Sequence, residues 1–357
     1  MNGKPLTPLH LIFLCAVTPA SFATDYTPIS GGSGGTWFNL DCGANMSLVG
    51  IQGKAGSLID SVQGVCAQFN ADGTQHGAKV LTGKAGGTGG TSYYMRCLEG
   101  RTVRAIHGKA GSYINGMRLR CDSVDTFEVG SLREGRFFWA NCPNSQDARS
   151  VRGRAGTWVD AIGLGCKSAE RLGVRSISIA SPVRAGRTAP LTVRTSMVPI
   201  ESMNVRLNSD NEALLPSPGV VTVGNTTTSA SSAVQATTIG CARITASYKG
   251  SSASADLVVH SVASPGLSLQ GPWKMGIYDT VTLTASIPSS SPDRTTIYVG
   301  VRSSAAEVVN AFLTIPPNAT SATFQVRGRF PGGCVPVHAK VDKVGGAEVT
   351  HTILVAD

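Results

Sequence analysis

Three cysteine pairs constrain this chain more than any other feature. Cys42 and Cys66, Cys97 and Cys121, and Cys142 and Cys166 are each 24 positions apart. Glycines keep step with them: Gly35, Gly90 and Gly135 stand 7 positions before each first cysteine, and Gly53, Gly108 and Gly153 stand 11 after it. Three positions further on come Gly56, Gly111 and Gly156. The segments between read GKAGSLIDSVQGVC, GKAGSYINGMRLRC and GRAGTWVDAIGLGC. A register held three times is an internal repeat, so this half folds as three copies of one supersecondary unit, each with its own staple. The second half of each copy alternates with period two, which makes it a strand and predicts that Val62, Met117 and Ile162 face a shared core. The two glycines of each turn are expected to take positive φ. A disulfide closing such a loop contributes about 3 kcal/mol in the chain-entropy model.

The N-terminus reads as a signal peptide over residues 1–23, with a basic Lys4, an apolar stretch from Leu11 to Val17 and a small-x-small site at Ser21-Phe22-Ala23. That stretch is too short to span a bilayer, and no later one is apolar enough, so the expectation is an exported protein without membrane insertion. Removing residues 1–23 leaves eight cysteines, an even number that fits disulfides in an oxidising compartment. The net charge of +9 is spread evenly, because residues 24–168 and 169–357 carry the same balance of Lys/Arg and Asp/Glu. Without a concentrated basic stripe, nucleic acid is not an expected partner.

From Leu172 the pattern changes to alternating Val, Ile, Thr and Ser runs broken by Pro and Gly. VRSISIA, PLTVRTS, MNVRLNS and ARITASY read as half-buried strands, and GLSLQG, TVTLTAS, IYVGVRS, ATFQVRG and VPVHAKV repeat the set. NVRLNSDNEALL and YVGVRSSAAEVV lie 94 positions apart, and Gly240-Cys241 and Gly333-Cys334 lie 93 apart. These regularities divide the remainder into tandem sandwiches over residues 169–261 and 262–357. Cys241 and Cys334 hold equivalent positions, which in a head-to-tail pair lie about 30 Å apart, far beyond disulfide reach. Either the modules fold side by side and bridge, or both thiols stay unpaired; the unpaired state is the expectation.

Three glycine-rich β units within residues 24–168 resemble the β-prism of jacalin-related lectins and of the vitelline membrane outer layer protein. GGSGG at Gly31 to Gly35 and GGTGG at Gly86 to Gly90 look like the glycine loop of jacalin-type lectins. Gly56 to Asp60 and Gly156 to Asp160 look like their Gly-x-x-x-Asp sugar-binding loop, while the cysteine frame is nearer to the vitelline membrane protein. The sandwiches resemble bacterial immunoglobulin-like modules. The resemblance implies an all-β chain: a threefold β-prism of Greek-key sheets followed by two immunoglobulin-like β-sandwiches. It also implies a secreted glycan-binding protein. The first glycine loop would sit beside the last Gly-x-x-x-Asp loop, making a hexose site of Gly34, Gly35, Thr157, Trp158 and Asp160. A second would use Gly89, Gly90, Ser57, Leu58 and Asp60. A carboxylate accepts from vicinal hydroxyls, glycines admit a close ligand and an aromatic covers a pyranose face. The third copy departs, with Asn115 for the Asp and Glu134-Gly135 for the double glycine, and is not expected to bind.

The alternative is a structural or protein-binding prism, in which each Asp accepts from its own turn. No nucleophile–base constellation, phosphate loop or metal spacing is present, so no enzymatic activity, cofactor or metal is expected. His107 is expected at the surface.

Overall fold

The computed structural model describes residues 25–216, 219–262, 264–331, 333–343 and 346–356. The signal-peptide reading of residues 1–23 lies outside the described residues. Among those described, every regular element is a strand, and the chain is all-β: a β-prism followed by two β-sandwiches.

The prism has three sheets. The first runs Gln75–Gly86, Ile59–Phe69, Ser47–Ala55 and Thr91–Arg96. The second is built on Val103–Ala110 and Ile114–Cys121 and is completed by Arg136–Asn141. The third is built on Gln146–Ala155 and Val159–Ser168 and is completed by the N-terminal strands Asp25–Tyr26, Ser30–Gly31 and Thr36–Asp41. Each sheet therefore borrows an edge strand across a repeat boundary, and the chain's first strands close the ring onto its last repeat. The disulfides Cys42–Cys66, Cys97–Cys121 and Cys142–Cys166 all form. Each first cysteine follows the borrowed edge strand of one sheet, and its partner lies on a central strand of the next. The staples thus join sheet to sheet around the prism instead of closing a loop within one. All six half-cystines lie in one core with Val62, Met117 and Ile162, which are fully buried as the alternation predicts.

The repeated glycines serve a different purpose from the one expected. Gly53, Gly108 and Gly153 lack positive φ; a Cβ at each would fall 1.9, 2.0 and 1.9 Å from the carbonyl of Ser61, Gly116 and Ala161 on the neighbouring strand. Close approach of two backbones demands glycine there. Positive φ occurs instead in the glycine loops, at Gly31, Gly35, Gly86, Gly90, Gly130 and Gly135.

Each sandwich packs two sheets, antiparallel but for one short edge strand, around its own core. In the first, Val174–Ile179, Thr188–Thr195 and Ser229–Gln235 face a sheet ordered Val183–Arg184, Ser251–His260, Gly240–Tyr248, Met203–Ser209 and Val220–Val223. The second repeats this arrangement, with Lys274–Gly276 parallel to Glu348–Ala356 just as Val183–Arg184 is parallel to Ser251–His260.

The expectation for Cys241 and Cys334 is corrected: they form a disulfide with Cα atoms 5.6 Å apart. The modules pack side by side along Ser251–His260 and Glu348–Ala356, where the Thr352 amide donates to His260 Nδ1 at 2.9 Å and the Thr352 hydroxyl to the Val259 carbonyl at 2.9 Å. Equivalent positions then meet across the contact instead of lying a domain diameter apart.

Candidate functional site

The site begins with a folding constraint. Gly32 N–H donates to the Asp160 carbonyl, Gly87 N–H to that of Asp60, and Ser131 N–H to that of Asn115, each at 2.8 Å. These three bonds lay each glycine loop across the start of a Gly-x-x-x-Asp/Asn strand, and the ring closure puts the first loop on the last strand. The two sets of residues singled out in the sequence are therefore brought together as paired. A Cβ on Gly34 would lie 2.3 Å from Asp160 Oδ1, and one on Gly35 2.5 Å from Oδ2. In the second set, Gly89 and Gly90 stand in the same way at 2.6 and 2.5 Å from the Asp60 carboxylate.

Both carboxylates are nearly covered, Asp160 at 5% and Asp60 at 7% exposure. Among the described residues, neither accepts a hydrogen bond or forms an ion pair. Asp147 of the same prism shows what a structural buried carboxylate looks like. It accepts from Thr102 Oγ1 at 2.7 Å and Ser47 Oγ at 3.3 Å, and pairs with Arg104 at 3.2 Å and Arg171 at 3.7 Å. Neither carboxylate is among the fully buried atoms left without a partner, so its oxygens keep some contact with solvent, where water or a ligand can donate to them. The alternative in which Asp160 is consumed by its own turn does not match this geometry.

The rest of each set lies around the carboxylate. Ser57 and Thr157 are exposed, and Leu58 is half-buried. Trp158 is 38% exposed and meets Tyr113 of the second repeat edge-on, with centroids 5.1 Å apart. Gly156 N–H closes its loop onto the Trp158 carbonyl at 2.9 Å, as Gly56 does onto Leu58. The Gly86–Gly90 loop leans on the third repeat, because a Cβ on Gly87 would meet the Thr157 carbonyl at 2.3 Å. The two sets thus share an end of the prism. The third set brings Gly135 against Asn115, whose Oδ1 is buried without a partner; an amide there lacks the charge of the other two.

Sequence reasoning missed the residues that hold the glycine loops. Arg154 donates Nε to the Gly34 carbonyl and Nη2 to the Gly35 carbonyl, both at 2.8 Å. Lys54 reaches the Thr88 carbonyl at 2.9 Å. The signal was the basic residue recurring in GKAG and GRAG, which reads as a solvated charge when taken alone. His107 is also corrected: it is buried, stacked on Trp139 with centroids 4.4 Å apart and 3.2 Å from Asp125. Among the described residues, no group of three or more His, Cys, Asp or Glu could hold a metal ion.

No protein-family model matches the sequence, and no curated protein matches it. Among solved structures, a prostate-specific WGA16 glycoprotein lectin aligns at 20% identity over 41% of this chain and 100% of its own, with a TM-score of 0.32. Calystegia sepium agglutinin aligns at 20% identity over 40% of this chain and 97% of its own, also at 0.32. An elastase-activated α2-macroglobulin from Escherichia coli aligns at 12% identity over 83% of this chain and 35% of its own, at 0.22. At such identities and scores these likenesses bear on none of the site's chemistry.

Proposed function

We propose that this chain is an exported, non-catalytic carbohydrate-binding protein that takes a hexose at Asp160 and a second at Asp60. One observation carries the reading: two largely covered aspartates without protein donors, each with a glycine pair packed so closely that a Cβ would fall on the carboxylate oxygens. The hydroxyls of a pyranose supply the missing donors, each such charge-assisted bond contributing about 1.5–3 kcal/mol. Trp158, 38% exposed beside the carboxylate, offers its ring to the apolar sugar face. The sandwiches, read as immunoglobulin-like modules, present the prism, and the four disulfides suit an oxidising extracellular or periplasmic setting.

A glycan array probed with wild-type protein and Asp160→Ala tests this. The wild type should bind a neutral hexose-bearing glycan, and the variant should lose at least about tenfold in affinity while keeping its melting temperature, since it removes a carboxylate that no protein group stabilises. A folded wild type that ignores every saccharide would return the prism to a structural or protein-binding role.

A further inference from the structure

The outer face of the third prism sheet alternates aromatic rings and guanidinium groups. Arg152 lies 4.1 Å from the Tyr26 ring centroid and 6.0 Å from that of Trp37, and Arg154 lies 5.0 Å from that of Trp37. Tyr26 and Trp37 are 57% and 60% exposed. The register explains the ladder, since Trp37 is paired across from Arg154 and Asn39 across from Arg152. Arg154 is the residue that holds the Gly34 and Gly35 carbonyls, so this face is continuous with the Asp160 site.

The other two sheets act as internal controls. On the second sheet an aromatic pair, Phe137 and Trp139, also faces outward, but its arginines are neutralised: Arg118 pairs with Glu128 at 3.0 Å and Arg120 with Asp125 at 3.3 Å. On the first sheet the position of Arg152 is held by Gln52, which is bonded to Gln63 at 2.8 Å. On the third, the nearby acids are engaged elsewhere, Asp41 with Arg149 at 3.6 Å and Asp25 with the Gln146 amide. Among the described residues, Arg152 has neither a carboxylate partner nor a hydrogen-bond acceptor. Its guanidinium is therefore positioned by two rings while its donors remain unused, which lowers the ordering cost of binding an anion.

We infer that this face is a second saccharide surface, built for an acidic glycan whose rings carry carboxylates. A planar guanidinium fork matches a carboxylate bidentately, and the neighbouring exposed ring takes the apolar face of the sugar. A polyuronate supplies a ring and a carboxylate in every unit, matching a ladder that alternates the two partners. The inference rests on the reading of the chain as a carbohydrate binder and adds a substrate class to it.

The test is calorimetric titration of the full chain with hexagalacturonate and with its methyl-esterified form, which has the same rings without the charge. The acid should bind about tenfold or more tightly than the ester, the scale of a lost charge-assisted pair. Arg152→Gln should abolish that preference; Gln52 in the equivalent place shows that the fold accepts this side chain. Trp37→Ala should weaken both ligands, and Arg118→Gln, a paired arginine, should change neither. Equal binding of acid and ester, or equal loss in Arg152→Gln and Arg118→Gln, would overturn the inference. So would equally tight, Arg152-dependent binding of a heparin hexasaccharide or a single-stranded DNA, which would mark a general polyanion surface. Asp160→Ala and a neutral hexose report separately on the first site, so the two readings fail independently.

Discussion

A methyl group on Gly35 would stand 2.5 Å from Asp160 Oδ2 and 2.4 Å from the Ala155 carbonyl carbon, on a residue whose φ is 61°. At Gly56 the same group meets nothing within 4 Å, and φ is ordinary. Gly35→Ala should therefore cost about 1 kcal/mol or more in stability and remove saccharide binding at Asp160, whereas Gly56→Ala should stay within about 0.5 kcal/mol of wild type and bind normally. Thermal melts with a sugar titration read both, and equal behaviour of the two variants would show that the glycine loop does not shape the site. The pairing of Gly34–Gly35 with Asp160 was legible only through the resemblance to jacalin-type lectins, because the repeat alone does not say that the first loop closes onto the last strand. The reason for Gly53, Gly108 and Gly153 was not legible, because positive φ and close backbone approach select the same residue. Arg154 was overlooked on similar grounds: a cation beside a turn looks alike whether it bonds two carbonyls or only water.

At the scale of elements, the strands of both halves could be read from alternation, but their partners could not. Which sheet a strand joins depends on ring closure, so staples that look local in sequence cross between sheets. The docking of prism onto sandwich was also hidden. Cys66 to Gly90 spans 24 positions where Cys121 to Gly135 spans 14, and the extra length lengthens the hairpin of Ile59–Phe69 and Gln75–Gly86. Its tip seats on the first sandwich: Ala71 N–H donates to the Leu172 carbonyl and Leu172 N–H to the Phe69 carbonyl, Gln68 bonds Val198 and Ile200, and His76 bridges Tyr248 and the Glu201 carbonyl. The contact between the two sandwiches contributes a pH dependence. His260 and His351 stack with centroids 4.2 Å apart. Burial, helped by His351 and Arg184, pushes the His260 pKa down from 6.5 to about 4, and burial also lowers that of His351. Between those values the folded ring stays neutral while the unfolded one takes a proton, so stability should rise with pH from about 4 to 6.5 and fall on acidification through the same window. His260→Gln, which keeps an acceptor for the Thr352 amide, should flatten that part of the melting profile. An unchanged slope would place the acid sensitivity elsewhere.

For the whole molecule, Cys241 and Cys334 were misplaced because strands could be read from alternation while the relative placement of the two sandwiches had no local signal. Tandem repeats suggest a head-to-tail row; only the packing of Ser251–His260 against Glu348–Ala356 brings equivalent positions together. The bridge closes a separation of 93 residues, which in the chain-entropy model contributes about 4–5 kcal/mol. Its removal should act unevenly. The prism has its own three staples and its own core, and it meets the first sandwich through the hairpin tip, so its unfolding does not draw on the distant bridge. Replacing both cysteines with serine should lower the sandwich transition in scanning calorimetry by several degrees and leave the prism transition and saccharide binding in place. If the prism transition drops in parallel, the three cores unfold as one cooperative unit and the sandwiches stabilise the prism directly. If neither transition moves, the bonds of Thr352 to Val259 and His260 already hold the modules together, and the disulfide adds nothing to the equilibrium.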